Sequence, residues 1–311
     1  MPLKSLKPLM KTNYILEKIL HLIAAYIVTA AIALFSIIAI LYWQPYFSIK
    51  SGNIVEIQSA QETALTLLPS AAEEALKSTP LVSYKDTELI EESFWLRFNV
   101  PAQNADNPYV IEFPSRHSIS LTCWQSPSFF LLGRGNRLST EGSIYHSKAG
   151  FALKLGPSEY SKNILCRVLS IGPSRLTVLT WKTNDLTQSE MDFRRHTGLL
   201  DGGMFVLCIF VLLTALINRS GLYLLFATWL AVNLRMAELS IGADTQWMGS
   251  MLPLDIIPRM RLITTSIYYL ITAALFSALF KDYLKTLGNI HLFRAAQWTC
   301  LPMLLISITL D

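Results

Sequence analysis

Two rhythms of apolar and polar residues run along this chain. Between residues 94 and 181 apolar positions recur at every second residue in short bursts. FWLRFNV (94–100) sets Phe94, Leu96 and Phe98 on one face and Trp95, Arg97 and Asn99 on the other. YVIEF (109–113), SISLTCW (118–124), FFLLG (129–133), GFALKL (150–155), NILCRVLS (163–170) and RLTVLTW (175–181) are further β-branched or aromatic runs. Turn clusters such as PAQNADNP, GRGN and GPS separate them. Such runs predict strands, and the Gly, Pro and Asn clusters predict the turns between them. About seven short strands with no helix between them predict an antiparallel all-β sandwich or jelly roll. One short helix is expected before the sheet, at LPSAAEEALKS (68–78), and a connecting helix after it, at KTNDLTQSEMDFRRHT (182–197).

The second rhythm lacks the polar beat. Residues 19–43 carry no charge and end on the cluster Tyr42, Trp43 and Tyr46. Similar runs cover about 199–217, 221–240 and 262–280, and another starts at 295 and reaches 310. About 20 apolar residues cross a bilayer. A cleaved leader has a shorter apolar region and small residues at its cleavage site. LYWQPYF offers no such site, so the first run reads as an uncleaved anchor. The expected organisation is a basic N-terminus (1–18), a transmembrane anchor (19–43), a β-sandwich domain (44–181), a linker (182–197) and a partial multi-span bundle (198–311).

Composition sharpens this division. Only 15% of the 311 residues are charged, against about 25% in soluble domains. The deficit is local: residues 44–196 hold 15 basic and 15 acidic side chains, leaving 11 basic and 7 acidic for the rest. A net charge of +4 without a long basic run gives no footing for nucleic acid.

Charge also orients the spans. Lys4, Lys7, Lys11 and Lys18 precede the anchor against Glu17 alone, which places the N-terminus in the cytoplasm. Alternation then puts residues 44–198 outside the membrane and Lys281, Lys285 and Arg294 inside. Arg194, Arg195, Arg259 and Arg261 fall on the outer side against the rule, but a long domain translocates largely regardless of its charge. The run that ends in LPMLLISITLD is 16 residues long from Ala295 to Leu310, with Pro302 in its middle. The chain is therefore expected to be the N-terminal portion of something longer.

The order of an anchor, a β-domain carrying SFWLRFNV and PYVIEFPSRHSISLTCW, and a multi-span block opening LLDGGMFVLCIFVLLTALINRSGLYLLFATWLAVNLRMAELSIG resembles the bacterial seven-transmembrane receptors with diverse intracellular signalling modules. The resemblance covers residues 54 to 310, and WLR followed by VIEFP is its sharpest part. It implies an extracytoplasmic jelly-roll sensor, seven spans at the bacterial inner membrane, and a cytoplasmic output such as a diguanylate cyclase, phosphodiesterase, histidine kinase, adenylate cyclase or phosphatase. No output motif occurs here, and DGG at 201–203 belongs to a span.

Several residues are candidates for chemistry. Trp95, Arg97, Trp124, Arg134, Arg137, Tyr145 and Trp181 could form a ligand surface, since aromatic platforms with polar edges suit a polar, carbohydrate-like small molecule. Packing on the sheet is the plainer role for each aromatic. Arg235 and Glu238 interrupt a span at i,i+3, with Asp201 near the end of the preceding span. Intramembrane charge marks either a transmitting polar cluster or a static pair that fixes helix register. Gly198, Gly202 and Gly203 allow close helix packing, in the bundle or across a homodimer. Cys123 and Cys166 either bridge or pack as small buried hydrophobes; the order of the strands decides. His117, His146 and His196 lack metal-ligand spacing, and no cofactor motif is present. Neither HExxH, GxxxxGK[ST] nor GxSxG occurs, so no catalytic residue is assigned.

The expected function is the ligand-sensing input module of an inner-membrane receptor, signalling most naturally to cyclic-di-GMP synthesis. The alternatives are a non-enzymatic membrane adaptor and, behind it, a transporter subunit, which would show broken helices in paired repeats.

Overall fold

The computed structural model describes residues 52–62, 67–88, 90–102, 108–240, 242, 256–286 and 290–309, with isolated helical positions between Tyr26 and Ile38. The rest of the anchor expected at 19–43 lies outside the described residues. The chain divides into two compact units, Met1–Lys50 and Ser51–Asp311. All of the strands belong to the second.

Fourteen strands occur among the described residues, all paired antiparallel. One sheet, A, has the order β1-β14-β6-β11-β10, built from β1 (Asn53–Val55), β14 (Val178–Lys182), β6 (Tyr109–Phe113), β11 (Gly150–Lys154) and β10 (Ile144–Ser147). A second, B, has the order β3-β2-β5-β12-β7-β8-β9. It is built from β3 (Leu81–Val82), β2 (Ile57–Gln61), β5 (Ser93–Val100), β12 (Lys162–Ser170), β7 (Ser118–Ser126), β8 (Phe130–Asn136) and β9 (Thr140–Gly142). A small ribbon pairs β13 (Arg175–Leu176) with β4 (Lys85–Asp86). RLTVLTW is thus two strands: β13 leaves for the ribbon and β14 joins sheet A.

The two sheets share one core. Phe94, Leu96, Phe98 and Val100 of β5 meet Ile111 and Phe113 of β6 and Phe151 and Leu153 of β11, all buried. Phe98 and Phe113 stack edge to face at 6.0 Å. Each such side chain contributes about 1.5–3 kcal/mol by leaving water, so alternation on the strands is what sorts the faces. Cys166 pairs with Cys123 across β12 and β7, both point into this core, and they form a disulfide.

The outer face of sheet B is half covered. Helix α1 (Pro69–Lys77) starts on Pro69, which suits the first helical turn. It lays Ala72 and Leu76 over Trp95 and Leu165. Its Glu73 accepts a hydrogen bond from Ser126 Oγ at 2.6 Å. Beside it the Glu62 carboxylate accepts two hydrogen bonds from Arg167, at 2.8 and 2.6 Å, and others from Leu67 N and Trp95 Nε1. Burial pushes Glu62 up, but those bonds and the Arg167 charge together hold it below the usual carboxylate range.

The segment expected as a connecting helix, 182–197, is the start of one long helix. α2 (Thr183–Asn218) runs 36 residues without a break, roughly 54 Å at 1.5 Å per residue. A bilayer core of about 30 Å needs about 20 of them. α2, α3 (Gly221–Ser240) and α4 (Ile256–Leu279) are all long and apolar enough to cross a membrane. α5 (Lys281–Thr286) and α6 (Ile290–Thr309, with Pro302 inside) follow. Val211 of α2 packs on Ala227 and Leu230 of α3, and Trp229 Nε1 donates to Thr272 Oγ1 of α4 at 3.0 Å. The molecule is therefore a β-rich region followed by three long apolar helices.

The Cys123–Cys166 bridge closes a sequence separation of 43 residues inside sheet B. Replacing both cysteines with alanine is expected to destabilise the β-rich region by about 2–4 kcal/mol. Chemical unfolding of the full chain in detergent, followed by the fluorescence of its tryptophans, reads the loss.

Candidate functional site

The outward positions of β7 and β8 follow from the pleat. Ile119, Leu121 and Cys123 point inward, so Ser120 and Thr122 point out, and register brings Thr122 opposite Arg134 and Ser120 opposite Asn136. β9 adds Glu141 opposite Arg134. With Gly135 and Ser139 these residues line an open cleft of about 320 Å³ beyond the part of sheet B that α1 covers. Arg134 Nε donates to Glu141 Oε2 at 2.7 Å, and this bond and the arginine's charge hold Glu141 below the usual carboxylate range. Hydroxyls, an amide and one exposed ion pair can exchange hydrogen bonds with a hydrated polar molecule. They carry no nucleophile–base pair. A second cleft of about 490 Å³, mostly apolar, lies between α4 and α6, lined by Leu270, Ala274, Arg294, Gln297, Trp298 and Leu301.

The outer face of sheet A meets the start of α2. Thr183 N and Oγ1 both donate to Pro108 O, which fixes the helix to the strand before it leaves the sheet. Leu186 is buried against Val110, Ala152 and Trp181, with Tyr145 beside them. The turn after β10 brings Lys148 over the Trp181 ring at 4.3 Å and within 3.1 Å of Glu112 Oε1. Glu112 is 1% exposed. Burial pushes its carboxyl above the ordinary range, Lys148 pulls it back, and Glu190 of α2 adds to the push. Burial, then the charges of Glu190 and Glu112, push the Tyr145 phenol up to about 12.

A third contact joins the β-rich region to α3 and α4. The Arg137 guanidinium donates to Ala149 O, Ser115 O and Arg116 O, and across the junction to Gly242 O at 3.3 Å. Arg116 donates to Ser240 O at 3.2 Å, and Arg261 of α4 donates to Arg116 O at 3.2 Å. Gly242 has φ +78°, and a Cβ there would crowd Ala149 O and the Arg137 guanidinium. Only glycine suits both demands.

The seven residues considered for a ligand surface do not converge. Arg134 alone lines the polar cleft. Trp95 is buried, stacked on Trp124 at 5.3 Å among the residues beneath α1, and Arg97 is tied to Gln58 and Glu73. Tyr145 and Trp181 meet, but beneath α2. Arg137 belongs to the junction. Arg235 and Glu238 are buried on α3, while Asp201 on α2 is half-exposed and forms no ion pair with Arg235 among the described residues. A Cβ added at Gly198, Gly202 or Gly203 would meet no atom within 4 Å, so these glycines lie at no helix contact among the described residues. His117, His146 and His196 bond separately to Ile171 O, Asn136 O and Asp192 O. No three of His, Cys, Asp or Glu gather as a metal-binding group among the described residues.

Sequence reasoning missed Ser120, Thr122, Asn136 and Glu141 of the cleft and Glu112, Lys148, Arg116 and Arg261 at the joints. The alternation in SISLTCW marks Ser120 and Thr122 as outward. Nothing local marks the others: Glu141 meets Arg134 only through the β8–β9 register, and the partners of Glu112, Lys148, Arg116 and Arg261 lie on other elements. No family model matches this chain, and no curated protein matches it in sequence.

A carboxyl whose folded-state pKa is raised stabilises the fold below its unfolded pKa and loses that contribution as pH rises through the folded value. Lys148→Met removes the cation that pulls Glu112 down. It is expected to destabilise the full chain on the order of 3 kcal/mol at pH 8, and by less at pH 4. Adding Glu112→Gln should abolish the difference between the two pH values, as read by thermal unfolding in one detergent.

Proposed function

We propose that this chain is the ligand-sensing input module of a bacterial inner-membrane signalling receptor. In this reading the β-rich region is a periplasmic jelly-roll sensor, and the cleft formed by Ser120, Thr122, Arg134, Asn136 and Glu141 takes a polar, carbohydrate-like small molecule. The output is a cytoplasmic enzyme, in first place a diguanylate cyclase, as the family resemblance implies.

One observation carries the reading. α2 is a single helix whose first turns are packed on sheet A and whose last turns form a membrane-length apolar segment. A change in the tilt of the sheet is thereby a change in the tilt of the span, with no flexible linker to absorb it. A ligand shifts that equilibrium only by its differential affinity for the two tilts.

Two measurements test this. Reporter fusions at residues 150 and 285 are expected on opposite sides of the membrane, with residue 150 outside. In nanodiscs, a panel of neutral mono- and disaccharides should yield at least one sugar that slows amide exchange both in 120–141 and in 183–198, and Arg134→Ala with Glu141→Ala should remove both effects. Reporters on the same side, or sugars protecting 120–141 with no change in 183–198, would refute the reading.

A further inference from the structure

Among the described residues, the junction between the β-rich region and α3 and α4 contains one titratable ring. His117 sits in the turn between β6 and β7, next to Arg116. Its Nδ1 lies 3.1 Å from Ile171 O and its Nε2 lies 3.2 Å from Arg116 Nε. A carbonyl only accepts and a guanidinium only donates. The neutral ring must therefore carry its proton on Nδ1 and offer the Nε2 lone pair to Arg116. That bond orients the guanidinium whose other end donates to Ser240 O at the end of α3. The carbonyl of the same Arg116 accepts from Arg137 and from Arg261 of α4.

Among the described residues the charged groups acting on the ring are Arg116 from its own turn, Arg261 from α4 and Arg137, one residue past β8. A Cβ added at Gly172, in the turn after β12, would lie 3.4 Å from Nδ1.

We propose that this junction is an acid-labile latch: a proton taken up at His117 Nε2 abolishes the acceptor for Arg116 Nε, adds a fourth cation to the arginine cluster, and frees the β-rich region from the ends of α3 and α4. The proton comes from hydronium in the solvent: its O–H bond breaks as the Nε2–H bond forms, water leaves, and no bond between heavy atoms changes. Burial, then the three guanidiniums, keep the ring's pKa below the ordinary histidine value, so the latch is closed at neutral pH and opens only in acid. Among the described residues the three hydrogen bonds that cross the junction are 3.2–3.3 Å long, and Arg116, the donor that His117 orients, is exposed, which makes its bond to Ser240 O the contact that yields first. This inference needs no occupant in the polar cleft and stands apart from the ligand reading.

Amide hydrogen exchange of the full chain in nanodiscs, titrated from pH 7.5 to 4.5 and corrected for chemical exchange, tests it. Protection of peptides spanning 115–117 and 240–242 should fall at least tenfold in acid while the strands holding Cys123 and Cys166 stay protected. His117→Gln, whose amide can both donate to Ile171 O and accept from Arg116, should keep protection throughout. His117→Lys should show the open level already at pH 7.5. The latch is overturned if the wild-type chain stays protected to pH 4.5, if His117→Gln opens alongside it, or if the cysteine strands open at the same pH.

Discussion

The continuity of α2 from the outer face of sheet A into its apolar stretch governs the rest of the molecule. A helix that has begun on a packed sheet cannot be displaced at one end without moving the other. Leu186, clamped between Val110, Ala152 and Trp181, holds that beginning, and Thr183 anchors it to the Pro108 carbonyl. Burial of one leucine and one tryptophan contributes several kcal/mol, which exceeds what exposed polar contacts supply. The charged cluster of Glu112, Lys148 and Glu190 sits at the same place, so the joint is apolar in strength and ionic in register.

The contrast with the second joint follows from magnitudes. A hydrogen bond from a charged donor contributes about 1.5–3 kcal/mol when short and buried. Among the described residues, the three that cross to the ends of α3 and α4 are 3.2–3.3 Å long, at the far end of the normal range. Gly242 adds closeness without adding apolar burial. Among the described contacts the first joint is mainly apolar and the second polar. Under the latch proposed above, the β-rich region pivots about the first when the second releases.

Much of the local structure is legible in the sequence because period-two alternation is a local property. Phe94, Leu96 and Phe98 declare an inward face, and Ser120 and Thr122 an outward one. The short strands at 53–61, 81–86 and 140–147 carry too few residues to show a period, and exist because a neighbouring strand completes their hydrogen bonds. The connecting helix expected at 182–197 and the span expected after it form one element, because polarity changes at residue 197 while helix propensity does not. The polar part of α2 that rests on the sheet and the apolar part long enough to cross a membrane have different compositions and one backbone. The roles of Trp181, Tyr145 and Arg137 are hidden for another reason. Their residue types fit a ligand surface, but what covers them is set by α2 and by Gly242, distant in sequence and unreadable from spacing.

Sheet B is built to resist bending where the polar cleft lies. The Cys123–Cys166 bridge ties its two central strands, and the Glu62–Arg167 bonds tie the end of β2 to β12. A molecule held by Ser120, Thr122 and Arg134 would therefore find little give in the sheet itself. The shared core is close-packed, from Phe98 against Phe113 through to Phe151, and close-packed cores pass displacement on rather than absorb it. Under the proposed reading the soft coordinate is then the tilt of the whole two-sheet body, resisted by the arginine junction and delivered through α2. Sensing by such a body depends less on the shape change a ligand causes in the cleft than on how its binding alters the balance between the latched and released tilts.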